Sequence, residues 1–197
     1  MKLIPLILIL SITSCLSYPE RYQRADMKHQ AETIRLDNML IETETQRARR
    51  ILDKRSQFVK HYMRFVLEPP LVDEWIRRPE ILEKGEGDCD TAQFDIADYA
   101  LVNSVNPELF RYCVMRKFDK NIVFPTQTVP LYKYHAVLLF YGDVYNGEIV
   151  TTTGVLSNES FMSLEDCYKY FGYYPVVSWH KIDGEVIIYK HSEPLEE

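Results

Sequence analysis

An α+β fold, with helices first and an antiparallel sheet after them, is what the sequence predicts, and three observations carry that expectation. Residues 26 to 67 contain no Gly or Pro and repeat apolar residues at roughly helical spacing. After Asn106 the period becomes two, with Phe110, Tyr112 and Val114 alternating against Arg111, Cys113 and Met115. Strand-like segments then dominate to the C-terminus, so helices and strands are segregated along the chain. The 197 residues, 46% of them hydrophobic, suffice for one core.

The first fourteen residues have the layout of an export signal. Lys2 supplies the positive end, Leu3 to Ile12 form the apolar stretch, and Ser11, Thr13 and Ser14 are small and polar. A stretch of ten residues is too short to span a bilayer, which takes about 20 apolar ones. Ile12-Thr13-Ser14-Cys15 resembles the bacterial lipobox, and the resemblance implies a lipid-anchored Cys15 at the start of the exported protein. Leu16, where an Asp would retain such a protein at the inner membrane, resembles the outer-membrane sorting signal. The expected organisation is therefore a lipoprotein signal peptide at 1–14, a tether at 15–25, a helical region at 26–72 and a main domain at 73–197.

Within the helical region Ile34, Met39, Ile41, Ala48, Ile51, Leu52, Phe58, Val59, Tyr62, Met63 and Val66 mark one long helix or two abutting ones, ended by Pro69-Pro70. Asp73 to Lys84 reads as a short helical connection with Trp75 facing inward. Gly85-Glu86-Gly87 is a turn into a second helix, Cys89 to about Val105. There Cys89, Ala92, Ile96, Ala100 and Asn103 fall on one face. Leu131 to Tyr141 reads as a central strand, 143–147 as a turn and Glu148 to Val155 as the returning strand. Ser163-Leu164-Glu165-Asp166 resembles a helix N-terminal capping box. Val176–Ile182 and Glu185–Tyr189 form a hairpin about Asp183-Gly184.

A net charge of −6 and a pI near 5.5 exclude a nucleic-acid footprint, which requires clustered Lys and Arg. The Arg-rich stretch 47–55 reads as a solvated helix face. No Cys/His grouping has zinc-ligand spacing, so neither metal nor cofactor is expected. Without Cys15, three cysteines remain: Cys89, Cys113 and Cys167. Either Cys113 and Cys167 pair, or they are buried separately, which leaves Cys89 as the working thiol.

The chemistry concentrates in Gly85-Glu86-Gly87-Asp88-Cys89-Asp90 and, beyond it, Tyr134-His135-Ala136-Val137. A thiol at a helix N-terminus beside an imidazole can be activated as a nucleophile, with Asp88 and Asp90 facing away to cap the helix. The two motifs resemble the core of the transglutaminase-like superfamily, including its bacterial cysteine-peptidase branch. That implies a papain-like/transglutaminase-like core, a central helix packed on an antiparallel sheet, preceded here by the long N-terminal helical region. It implies Cys89 as nucleophile, His135 as its acid/base partner, and Gly87, Asp88 and Trp75 beside the substrate. The family usually carries an acid on the strand after the His, and none is present here. Hairpin geometry puts the residue opposite His135 between Val155 and Asn158, leaving Thr152, Thr153 and Asn158 as alternatives. The expected activity is hydrolysis of peptide or isopeptide amide bonds in a protein or peptidoglycan substrate, at a membrane reached through Cys15. The alternative is an inactive, protein-binding lipoprotein of the same fold.

Overall fold

The computed structural model describes residues 17–66, 78–140, 148–150, 161–163, 169, 172–182 and 185–191. Two helices open the chain, α1 (Tyr18–Met39) and α2 (Glu44–Tyr62). Each starts at a capping box, Ser17 with Glu20 and Thr43 with Gln46, which satisfies backbone N–H groups that a helix start leaves without partners. The expected tether at 15–25 is thereby corrected: its residues from Tyr18 onward are the first turns of α1. Tyr22 is buried among them, because the helix carries an aromatic face that packs on the rest of the protein. The single or abutting helix at 26–67 is two helices separated at residues 40–43, and α2 ends at Tyr62, ahead of the prolines.

A two-residue strand β1 (Arg64–Phe65) follows, then α3 (Arg78–Lys84), β2 (Glu86–Gly87) and α4 (Cys89–Val102). The larger strands are β3 (Phe110–Val123), β4 (Thr128–Phe140), β5 (Glu148–Val150), β6 (Phe161–Ser163), β7 (Tyr174–Ile182) and β8 (Glu185–Lys190). They form one six-stranded sheet in the order β6-β5-β4-β3-β7-β8, every neighbouring pair antiparallel. The expected C-terminal hairpin is present, with Ile182 paired to Glu185. Ser163, the first residue of the capping box expected at 163–166, ends β6, and residues 164–168 lie outside the described residues; Lys169 is helical. Beyond Arg116, β3 pairs among the described residues only with β4. This leaves a projecting arm that exposes Phe118, Val123, Phe124 and Val129. Both strands therefore extend past their expected ends.

The α4 helix lies between two layers. Ala48, Ile51, Leu52, Phe58 and Val59 of α2 cover one side, and Phe110, Tyr112, Leu138 and Phe140 of the sheet cover the other. A helix buried all round has no polar stripe, which is why residues 90 to 97 are every one buried. Its polar members need partners, and Asp95 has one in Arg55. The Arg55 guanidinium is wholly buried, paired to Asp95 at 2.7 Å and to Asp26 of α1 at 2.6 Å. It also lies 4.1 Å over the Phe58 ring and 4.4 Å over that of Tyr99. The solvated-face expectation for 47–55 fails at this residue: Arg55 occupies the inward side of α2 and ties α1, α2 and α4 together. Arg47 and Arg50, half-buried, pair instead with Asp37 and Glu42.

Candidate active site

Local packing delivers Cys89 to the head of α4. Gly85 adopts φ +68°, a left-handed conformation suited to Gly, and its N–H closes α3 on the Ile81 carbonyl at 2.7 Å. A Cβ here would meet Tyr18 at 3.1 Å and Tyr22 at 3.2 Å, so α1 packs directly on the turn. The next residues pair in parallel with β1. Arg64 N–H donates to the Gly85 carbonyl, Val66 N–H donates to that of Gly87, and the Arg64 and Glu86 side chains form an ion pair. Nothing in the spacing of the sequence announces this brace, since it joins residues more than twenty apart.

Gly87 is required for a different reason. A Cβ there would stand 2.2 Å from Thr91 Cγ2 and 2.4 Å from Thr91 Cβ, and Thr91 is fully buried. Gly87→Ala is therefore expected to destabilise the protein by about 1–3 kcal/mol through overpacking and to displace the first turn of α4. Urea unfolding measures the first effect, and the rate of Cys89 alkylation in the folded protein measures the second.

Asp88 is the N-cap of α4, its carboxylate accepting from the Asp90 N–H at 3.2 Å. Asp90 is turned to its own helix, accepting from the N–H and hydroxyl of Thr91. Cys89 is the first residue of the helix and half-buried. The Ala136 backbone N–H lies within hydrogen-bonding reach of the Cys89 sulfur, and His135 is the preceding residue of β4. The Asp88 carboxylate acts on both groups, raising Cys89 and raising His135.

The alternation of β4 sorts its side chains. Leu138 and Phe140 pair with Tyr112 and Phe110 on the face toward α4. His135, opposite Met115, belongs with Val137 and Cys113 on the other face, where its ring meets the edge of Tyr173 at 5.9 Å. The thiol accordingly meets β4 at its backbone, at the N-terminal tip of α4.

The electrostatics run against a preformed ion pair. Burial pushes the Cys89 thiol up to about 11, with Asp88 and Asp90 adding to the rise and the Ala136 N–H opposing it. Burial likewise holds the His135 imidazole down to about 4, and Asp88 opposes that fall. The expectation that the helix start and an imidazolium would lower the thiol is corrected: both groups are neutral at rest, because desolvation outweighs the helix-terminal field. The flanking acids cap the helix as expected, yet they still act on the thiol.

Buried neutral imidazoles also make the protein acid-sensitive. His29, packed between Phe58 and Tyr99, is held down to about 4 as well, first by burial and then by Arg55. Between pH 6.5 and about 4 the unfolded chain binds protons at these residues that the folded chain refuses, so stability falls as pH drops through that window. For His135 the loss reaches about 3 kcal/mol at the acid end. Urea midpoints measured from pH 7 to 4 should decline, and His135→Gln should flatten the decline.

Of the other residues expected at the site, Cys15, Trp75, Thr152 and Asn158 lie outside the described residues. Cys113 is buried in β3, its sulfur 3.7 Å from the Val114 carbonyl; Cys167, its alternative partner, lies outside the described residues. Among the described residues no helix is long and apolar enough to cross a membrane.

No protein-family model matches the sequence, and no curated protein sequence matches it. Solved structures do match in fold. Legionella pneumophila LapG superposes with a TM-score of 0.50 at 18% identity, over 83% of this chain and 84% of that chain. An EGTA-treated form of LapG gives 0.50 at 18% identity, over 83% and 82%. A calcium-bound form gives 0.52 at 14% identity, over 89% and 93%. Among the described residues of the present chain, no group of three or more His, Cys, Asp or Glu side chains gathers to hold a metal ion. At these identities the likeness speaks for fold, and the chain has a transglutaminase-like α+β fold with N-terminal helices packed on its central helix.

Proposed function

We propose that this chain is an exported, lipid-anchored thiol hydrolase of the transglutaminase-like cysteine-peptidase kind, acting on peptide or isopeptide amide bonds in a protein or peptidoglycan substrate. The observation that supports it most is the convergence at the head of α4: the Cys89 sulfur against the Ala136 N–H, His135 next in the chain, and Asp88 acting on both. The mechanism requires the His135 ring, set by the alternation of β4 on the face away from α4, to reach the thiol at the helix tip; Cys89 then attacks the amide carbonyl while the neutral imidazole takes the thiol proton, which it delivers to the leaving amine. Water resolves the thioester, and the Cys89 backbone N–H at the helix start helps stabilise the oxyanion. The anchor is Cys15, following the 1–14 signal.

The orienting residue behind His135 is proposed among Thr152, Thr153 and Asn158, which lie outside the described residues. The β4–β5 ladder pairs Leu138 with Val150 and Phe140 with Glu148. Positions 152–158 lie beyond the described end of that ladder. A Thr hydroxyl supports an imidazolium less than a carboxylate does.

A peptidyl vinyl sulfone tests the reading, since its addition to a thiol needs a proton delivered by the neighbouring imidazole. Labelling mapped to Cys89 should vanish in Cys89→Ala and fall by about 100-fold in His135→Ala. Equal labelling with and without His135 would overturn it. The raised thiol and the flanking Asp88 and Asp90 favour a second reading, a non-catalytic lipoprotein that binds a protein partner. On that reading the cysteines react only after unfolding.

A further inference from the structure

Between the outer faces of α1 and α2 lies a cleft of about 410 Å³ lined by Arg21, Arg24, Lys28, His29, Phe58 and Tyr62. We propose that this cleft binds a small anionic ligand, a carboxylate or phosphate carried on an apolar or aromatic body. Its volume falls in the range of small-molecule sites, about 300–1,000 Å³.

The charge is the first argument. The chain as a whole is acidic, at −6, yet Arg21, Arg24 and Lys28 recur at steps of three and four on α1 and so share one face. At His29, Arg55 and Lys54 of α2 act as positive charges, opposed by Asp26 and Asp95. Of the carboxylates on α1, Asp26 pairs with Arg55 behind the cleft, Glu20 accepts from Ser17 and also feels Arg24, and Glu32 is bridged by Arg35.

The floor is the second argument. Phe58 and Tyr62 pack with ring centroids 4.8 Å apart, and His29 stacks on Phe58 at 4.9 Å, so a flat body entering the cleft meets aromatic surface. His29 Nε2 is buried and has no hydrogen-bond partner among the described residues. Buried polar atoms are nearly always satisfied, and a bound oxygen at the mouth of this cleft would satisfy this one. The neutral imidazole can present an N–H there.

The cleft is separate from the candidate active site. None of its lining residues belongs to α4; the nearest link is His29, which packs on Tyr99, ten residues and so about 15 Å of helix from Cys89. Its occupancy therefore does not depend on the catalytic reading.

Phenyl phosphate is the probe, followed by NMR through the ring protons of His29, assigned with His29→Gln. Saturable shifts are expected with phenyl phosphate, weaker binding with inorganic phosphate, and no shift with benzylamine, which has the ring but the opposite charge. Arg24→Glu/Lys28→Glu should weaken phenyl phosphate by about tenfold or more. Lys60→Glu/Lys120→Glu makes the same change in net charge away from the cleft and should leave affinity unchanged. Circular dichroism verifies that both variants are folded. The proposal fails if phenyl phosphate gives no saturable shift, if benzylamine binds as well, or if the two double variants weaken binding equally. Inorganic phosphate binding as tightly as phenyl phosphate would remove the aromatic floor from the proposal.

Discussion

Arg55→Ala is expected to cost about 3–5 kcal/mol of folding free energy, enough to unfold much of the protein at moderate temperature. The guanidinium is fully buried, and its removal strips the nearby charge partner from Asp95, which is itself fully buried, and from Asp26. It also deletes the stacking over Phe58 and Tyr99. The attraction is strong here because the pair sits in low dielectric, but so is the cost of bringing each ion in, and breaking the pair leaves that cost uncompensated. Urea unfolding should show a lower midpoint at an unchanged slope. Arg55→Met combined with Asp95→Leu should recover part of the loss, because no charge then remains at that contact. If Arg55→Ala shifted stability by less than about 1 kcal/mol, the role of this residue as the tie between α1, α2 and α4 would be wrong.

The second large effect is the pH dependence of Cys89. A thiol held up at about 11 is almost entirely protonated at neutral pH, so alkylation by iodoacetamide should rise about tenfold per pH unit from 7 to 10. A preformed thiolate–imidazolium pair would instead give a rate that levels off on the acid side of neutrality. The folded protein should also react more slowly at Cys89 than the unfolded chain, whose thiol ionises near 8.5. Asp88→Asn probes the cause. Asn also caps a helix, so the fold should hold, while loss of the carboxylate lowers Cys89 and speeds alkylation. The same substitution removes an influence that raises His135, so the imidazole should become harder to protonate. A flat alkylation profile across neutrality would show that the site is activated at rest, contrary to the desolvation argument.

These effects divide the chain in an instructive way. Local signals were legible: the N-cap Asp88, the helix opening at Cys89, the period-two run from Phe110, and the C-terminal hairpin all depend on neighbours within a few residues. The helical break at 40–43 and the start of α1 at Tyr18 were less so. A helix boundary there depends on Ser17 with Glu20 and Thr43 with Gln46, whose capping value competes with continuous helical propensity. Arg55 was misread because a basic residue among other basic residues looks solvated until its partners, 29 and 40 residues away, are brought to it.

By itself, then, the sequence determined the order of helices and strands, the motif that puts a thiol at a helix head, and the presence of a histidine in the strand which that helix head meets. Only the tertiary structure decided how those groups are charged, because burial is a property of the assembled layers and not of any short segment. Desolvation at the meeting of α4 and β4 keeps the Cys89 thiol and the His135 imidazole neutral, and that long-range effect outweighs the local field of the helix start that the sequence displays so plainly.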